Sequence, residues 1–309
     1  MHDGSRRAIV AAFLANLGIA IAKFAGALIT GSASLLAEGV HSLADTGNQG
    51  LLFLGGARAR REATPEHPFG FGRERFFWSF VVALVLFSMG GLFAIYEGVD
   101  KLIHPHETES LGVAIGILAF ALVLESWSLH TAMRESRPYK GDLSWWGFIR
   151  SSRQPELPVV LLEDTGALCG LLFALSGVVL ATVTGQPRWD AIGSLAIGIL
   201  LVTIAIILGI EMKALLIGES ATPEMQQAIA DAMRTAPSVR HLIHLRTEHL
   251  GPDELLVGAK LEFDRTLSMP ALAEAIDDVE ARVRAVVPAA RVMYLEPDVH
   301  HAGDESAVT

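Results

Sequence analysis

A single cysteine among 309 residues, Cys169, is too little for a disulfide framework, a CxxC metal site or a thiolate cage. It falls inside an apolar run and is read as a packing residue. HExxH is also missing, which removes the intramembrane zinc-peptidase reading. Positive charge is outweighed: 24 Lys and Arg against 34 Asp and Glu leave a net charge of −10, and no nucleic-acid partner is expected. No small-residue cleavage site follows the first apolar run, so that run is read as a retained helix rather than a signal peptide.

What the chain has in abundance is apolar sequence, 51% of its residues, gathered into long runs. A hydrocarbon core of ~30 Å takes ~20 helical residues. Six stretches suffice: 8–29, 33–56, 76–99, 111–133, 157–183 and 190–216. The chain is therefore read as an α-helical polytopic membrane protein with a six-helix transmembrane domain over residues 1–216. Arg6 and Arg7, then Arg58, Arg60, Arg61, Arg73 and Arg75, then Arg134, Arg137, Lys140, Arg150 and Arg153 lie on one side of these runs; the other side has Lys101 and Arg188. The positive-inside rule then puts both termini in the cytoplasm, with a bacterial inner membrane as the expected location.

Residues 217–309 differ in texture, holding 16 acids and 8 bases. Thr222 as N-cap, Pro223 at the first helical position and Glu224 in the first turn open a helix over "TPEMQQAIADAMRTA". Two alternating runs, "HLIHLRTEHL" and "LLVGAKLEFD", flank the turn "GPDE". A helix over "MPALAEAIDDVEARVRAV" and a strand "ARVMYLE" complete an α-β-β-α-β order, a small ferredoxin-like α+β domain. So small a domain buries more apolar surface as a homodimer, and a dimerisation or regulatory role is expected of it.

Positions 38, 41, 45 and 48 share one helical face, so Glu38, His41, Asp45 and Asn48 make a polar stripe down the second span. Ionisable groups in a span face the bundle interior and mark ion or proton paths; the plainer reading is a hydrogen-bonding seam between helices. The fifth span adds Glu163 and Asp164 in "VVLLEDTGALCGL". Adjacent buried carboxylates need a cation or protons beside them. Imidazole nitrogen with carboxylate oxygens suits Zn²⁺ and its first-row neighbours, and such groups exchange protons as metal comes and goes. Lys23 is expected to snorkel or pair with an acid. Glu97, Glu125 and His130 are read as structural, the last two because five residues separate them on their helix. His300 and His301 are assigned to a fraying end.

"GSASLLAEGVHSLADTGNQ" resembles the second-span HxxxD signature of the cation diffusion facilitator family. "PEHPFGFGRERF" resembles that family's HPFGHGR loop, "DAIGSLAIGILL" its sixth span, and "LLIGESATPE" its bridge to a cytoplasmic domain. The likeness runs from about residue 8 to 298 and leans to the branch that includes the mammalian mitochondrial zinc exporter. It implies a six-span homodimer exchanging cytosolic divalent metal for protons by alternating access. It also implies ligands His41 and Asp45 from span 2 and Asp164 from span 5, but Val160 stands where the fourth belongs. Glu163, Asn48, water or nothing completes the shell, with Glu163 ranked first. Where the family's loop has a second histidine this chain has Phe71, so His67 is read as a surface or capping residue. The tail reads Tyr294, Leu295, Glu296 where a metal-binding pair often sits, so packing is expected to hold its dimer. A charge contact between Arg73 and Glu211 is expected at the hinge.

The reading is a secondary active transporter rather than an enzyme. Its cargo is a divalent cation, Zn²⁺ first and Mn²⁺, Fe²⁺, Co²⁺ or Ni²⁺ also admitted, with no prosthetic group and with membrane lipid and protons as partners. The rival is a non-transporting metal sensor or an assembly partner of an active relative, which the valine at 160 favours.

Overall fold

The computed structural model describes residues 3–105 and 111–301. The side chains of Arg6 and Arg7 and the end of the acidic tail, residues 302–309, lie outside the described residues. The chain forms two compact units: one runs up to Ala57 and continues over Phe77–Lys213, the other joins Arg58–Phe76 to the residues from Ala214 onward.

The helical unit is built from α1 (Asp3–Thr30), α2 (Ala33–Arg58), α3 (Glu74–Val85), α4 (Phe93–Ile103), α5 (Leu111–Lys140), the short α6 (Trp145–Ser151), α7 (Glu156–Thr184) and α8 (Arg188–Ile217). A π-helical segment, Leu86–Leu92, joins α3 to α4 without a break. Among the described residues, four helical stretches are long and apolar enough to cross a membrane: Glu74–Ile103, Gly112–Lys140, Glu156–Thr184 and Arg188–Ile217. The described part of α1 adds the apolar stretch Asn16–Thr30. Helix α2 is long enough, but the polar stripe dilutes its apolar character.

Buried polar contacts set the corner between α1 and α2. Gly31, at φ 64°, ends α1 in the left-handed conformation that costs glycine no Cβ clash. Ser32 caps α2, its Oγ accepting from the Leu35 amide at 3.2 Å. The Asp190 carboxylate, at the start of α8, accepts from Ser32 Oγ at 3.1 Å and from the Ala33 amide at 3.0 Å. Lys101 lies 3.5 Å from Asp190 Oδ2 and donates to the Gly31 carbonyl at 2.6 Å. Asp190 thus joins three helix ends. Glycines let α4 and α8 touch: a Cβ on Gly198 would stand 2.8 Å from the Ile95 nitrogen, and one on Gly98 2.9 Å from that of Leu195.

In the second unit α9 (Pro223–Arg234), β1 (Val239–Gly251), β2 (Glu254–Phe263), α10 (Met269–Val286) and β3 (Ala290–Pro297) follow the expected α-β-β-α-β order. Thr222 caps α9 by accepting from Met225 N at 3.4 Å, and Ser268 caps α10. The sheet order is β1-β2-β3, with β1 antiparallel and β3 parallel to β2. Alternate residues of β2, Leu255, Val257, Ala259 and Leu261, bury one face against Ile229 and Met233 of α9 and Val279 and Val283 of α10. Outside the spans, Asp264 just after β2 has its carboxyl pulled down to about 2, chiefly by the Thr266 backbone N–H, then by the Thr266 hydroxyl and Arg240.

The segment before α3 folds onto this sheet. Arg75 Nη1 lies 3.0 Å from Asp253 Oδ2, and Gly72 is so close to Leu250 that a Cβ there would meet the Leu250 carbonyl at 2.7 Å. Within its own unit Arg73 pairs with Glu248, and within the other Glu211 meets Arg150 at 3.4 Å. Both choices follow from proximity within each unit, which the linear order of spans did not reveal.

Candidate cation-binding site

All four members of the α2 stripe are buried: Glu38, His41 and Asn48 at 0% exposure and Asp45 at 8%. The 3.6-residue repeat puts them on one face, and the bundle covers that face. Each finds a different neighbour.

Glu38 is neutralised by α1. Lys23 Nζ lies 3.0 Å from Glu38 Oε2 and donates to Ser42 Oγ at 2.7 Å, with both charged side chains wholly buried. Lys23 therefore pairs rather than snorkels. The other oxygen of Glu38 has no hydrogen-bond partner and lies against Gly170 of α7, where a Cβ would approach it to 2.4 Å.

One turn further on, His41 has no hydrogen bond at either ring nitrogen. Its Nδ1 is 3.5 Å from Asp45 Oδ1, and Gly90 of the π segment lies beside it. A fully buried imidazole without partners is costly, and π segments recur at functional sites. Asn48 donates its amide to Glu163 on α7, and its own carbonyl oxygen stays unpartnered. Asp164, the next residue, faces another way: its Oδ2 accepts from Ser128 Oγ of α5 at 3.0 Å.

The five residues expected to bind metal are thus gathered in part. His41 sits with Asp45, Glu163 sits with Asn48, and Asp164 sits with Ser128. Among the described residues no three His, Cys, Asp or Glu side chains lie close enough to hold one ion. Val160 packs against an apolar cluster of Ala132, Phe148 and Leu161, away from any donor role.

Glu125 on α5, read from sequence as structural because it shares no face with His130, lies among the site's acids. It is 7% exposed and stands one turn before Ser128, the residue that meets Asp164. The available signal was an acid in the middle of an apolar span, by itself a mark of function. Four carboxylates, Asp45, Glu125, Glu163 and Asp164, therefore share a buried region whose lysine, Lys23, is committed to Glu38. The arrangement can bind a hard or borderline cation through nitrogen and oxygen, or hold protons in its place.

Residues 9–217 match the Cation efflux transmembrane domain family. The chain belongs to the cation efflux, or cation diffusion facilitator, family. As a member of that family it is an integral membrane protein. Among curated relatives, it is 38% identical over 245 residues to the human mitochondrial proton-coupled zinc antiporter SLC30A9, covering 78% of this chain and 43% of that protein. Metal tolerance protein C4 of Arabidopsis thaliana is 29% identical over 262 residues, 84% of this chain and 57% of its own length. The cation-efflux pump FieF of Klebsiella pneumoniae is 26% identical over 289 residues, 94% of this chain and 91% of its own. The chain spans less than half the length of the human cation efflux protein it matches.

Proposed function

We propose that this cation efflux protein is a proton-coupled exporter of divalent metal, with Zn²⁺ as the first cargo and Mn²⁺, Fe²⁺, Co²⁺ and Ni²⁺ as further ones. The observation that carries the reading is the wholly buried His41, unpartnered at both nitrogens, beside Asp45 and within a region of four carboxylates. His41, Asp45 and Asp164 bind the cargo, and Glu163, held by Asn48, assists. Spread as they are, these donors converge when metal enters from the cytoplasm and part as the helices rock to the other face. Protons occupy the carboxylates and imidazole when metal is absent, so charge in the apolar bundle stays balanced through the cycle. The relatives named as a proton-coupled zinc antiporter and a cation-efflux pump favour this assignment.

The proposal includes six spans, α1 and α2 with the four apolar helices, a transmembrane domain over 1–216 and a cytoplasmic domain over 217–309 that dimerises and regulates. It includes both termini in the cytoplasm and a bacterial inner membrane as the location. Zn²⁺ flux in proteoliposomes, measured with and without an imposed pH gradient, is the test. The gradient should accelerate flux, and flux indifferent to it removes proton coupling.

A second reading has its own observation. With no three donors together among the described residues and an apolar Val160, a non-transporting sensor or assembly partner also fits. Metal binding without flux in the same vesicles selects it.

A further inference from the structure

The two acids of α7 diverge, and the direction of the second has a consequence for the shell. Asp164 is turned toward α5 by Ser128. One helical turn before Ser128, on the same face of α5, stands Glu125. It is 7% exposed, and among the described residues no hydrogen bond or ion pair engages it. An ionised carboxylate left so in an apolar bundle is strongly unfavourable without a counter-charge. Lys23, the buried ammonium whose field reaches it, is already bound to Glu38 and Ser42.

The other sources of a fourth donor are engaged. Val160 has no donor atom and is packed against apolar side chains. One oxygen of Glu163 is taken by the Asn48 amide of α2, which leaves this acid the assisting role given it above. Meanwhile neither nitrogen of His41 nor Oδ1 of Asp45, 3.5 Å from His41 Nδ1, has a hydrogen bond, so a ligand position is open on the α2 side.

We infer that Glu125 is a direct ligand of the transported cation, so that α2, α5 and α7 together enclose it. The inference rests on the transport-site reading above. Because α5 packs along α7, a cation that draws Asp164 toward Asp45 brings the Glu125 face with it. A shell of one imidazole nitrogen and three carboxylate oxygens would also grade the cargo by hardness, since each oxygen moves preference toward Mn²⁺ and each nitrogen toward Zn²⁺.

Co²⁺, Zn²⁺ and Mn²⁺ titrations of the full-length protein in detergent test it, with the visible absorption of bound Co²⁺ reporting the ligand set directly. Asp45→Asn serves as the control for the parent reading. Glu125→Gln should weaken Co²⁺ and Zn²⁺ binding by ~10–100-fold or more, taking the loss of a supporting contact as the lower bound. It should also change the Co²⁺ spectrum while leaving the elution volume on gel filtration unaltered. Glu125→His, which keeps a donor, should recover binding with a shifted spectrum and raise the Zn²⁺ to Mn²⁺ affinity ratio. A group that only supports the fold would move neither spectrum nor ratio. If Asp45→Asn abolishes binding while Glu125→Gln and Glu125→His keep the wild-type affinity and spectrum, Glu125 is no ligand and the parent reading stands. If the wild type binds no metal, or Asp45→Asn binds as the wild type does, both fall.

Discussion

Removing Lys23 should test how much of the bundle's stability depends on one buried pair. The ammonium lies 3.0 Å from Glu38 Oε2 and 2.7 Å from Ser42 Oγ, and neither charged side chain is exposed. Lys23→Met strips the counter-charge from a carboxylate whose other oxygen already lacks a partner. Breaking a buried pair from one side costs about 3–5 kcal/mol, because the remaining charge is stranded. At ~2–4 °C per kcal/mol for a unit of this size, the melting temperature in detergent should fall by roughly 6–20 °C. The neutral double variant Lys23→Met with Glu38→Gln should regain more than half of that loss, since replacing both partners removes the desolvation cost as well as the attraction. Melting curves of wild type, both single variants and the double variant, run at fixed detergent and protein concentration, give the coupling between the two sites. Additive losses would refute the reasoning, for they would mean that the ammonium does not neutralise Glu38. The double variant should still bind metal, because the pair lies one turn away from His41 and contributes no ligand.

Asp45→Ala and Asp164→Ala should each abolish flux in proteoliposomes while the protein still elutes as a folded species; normal flux in either would remove that residue from the shell. Val160→His should lower the melting temperature without raising Zn²⁺ affinity, because the imidazole enters the apolar cluster of Ala132, Phe148 and Leu161, and calorimetric titration checks the affinity. In the second unit, Asp264 has a carboxyl held down at about 2, so its contribution to stability is complete above the ordinary carboxylate value of ~3.9 and is lost as pH falls through about 2. Asp264→Asn should therefore speed hydrogen exchange across β1 and β2 at pH 7 and differ little from wild type near the acid limit; an equal difference at every pH would contradict that cause.

Much of this architecture was legible without coordinates because it depends on neighbours along the chain. The apolar runs, four of which form helices long enough to span a bilayer, the cap at Thr222 and the alternation of β2 are local patterns that the structure follows. The stripe of Glu38, His41, Asp45 and Asn48 belongs with them, since helical geometry alone puts those positions on one face and charge in a span turns that face inward. Which partner each side chain meets was decided by packing. Nothing in the chain order says that Lys23 lies opposite Glu38, that Arg73 meets Glu248 while Glu211 meets Arg150, or that Glu163 and Asp164 turn to different helices. Glu125 is marked by its place in an apolar span, but its neighbour Asp164 is set only when α5 is laid along α7. A helix's own sequence determines the angle between its residues, but its rotation and height against neighbouring helices follow from side-chain packing and close glycine contacts, which exist only in the folded bundle.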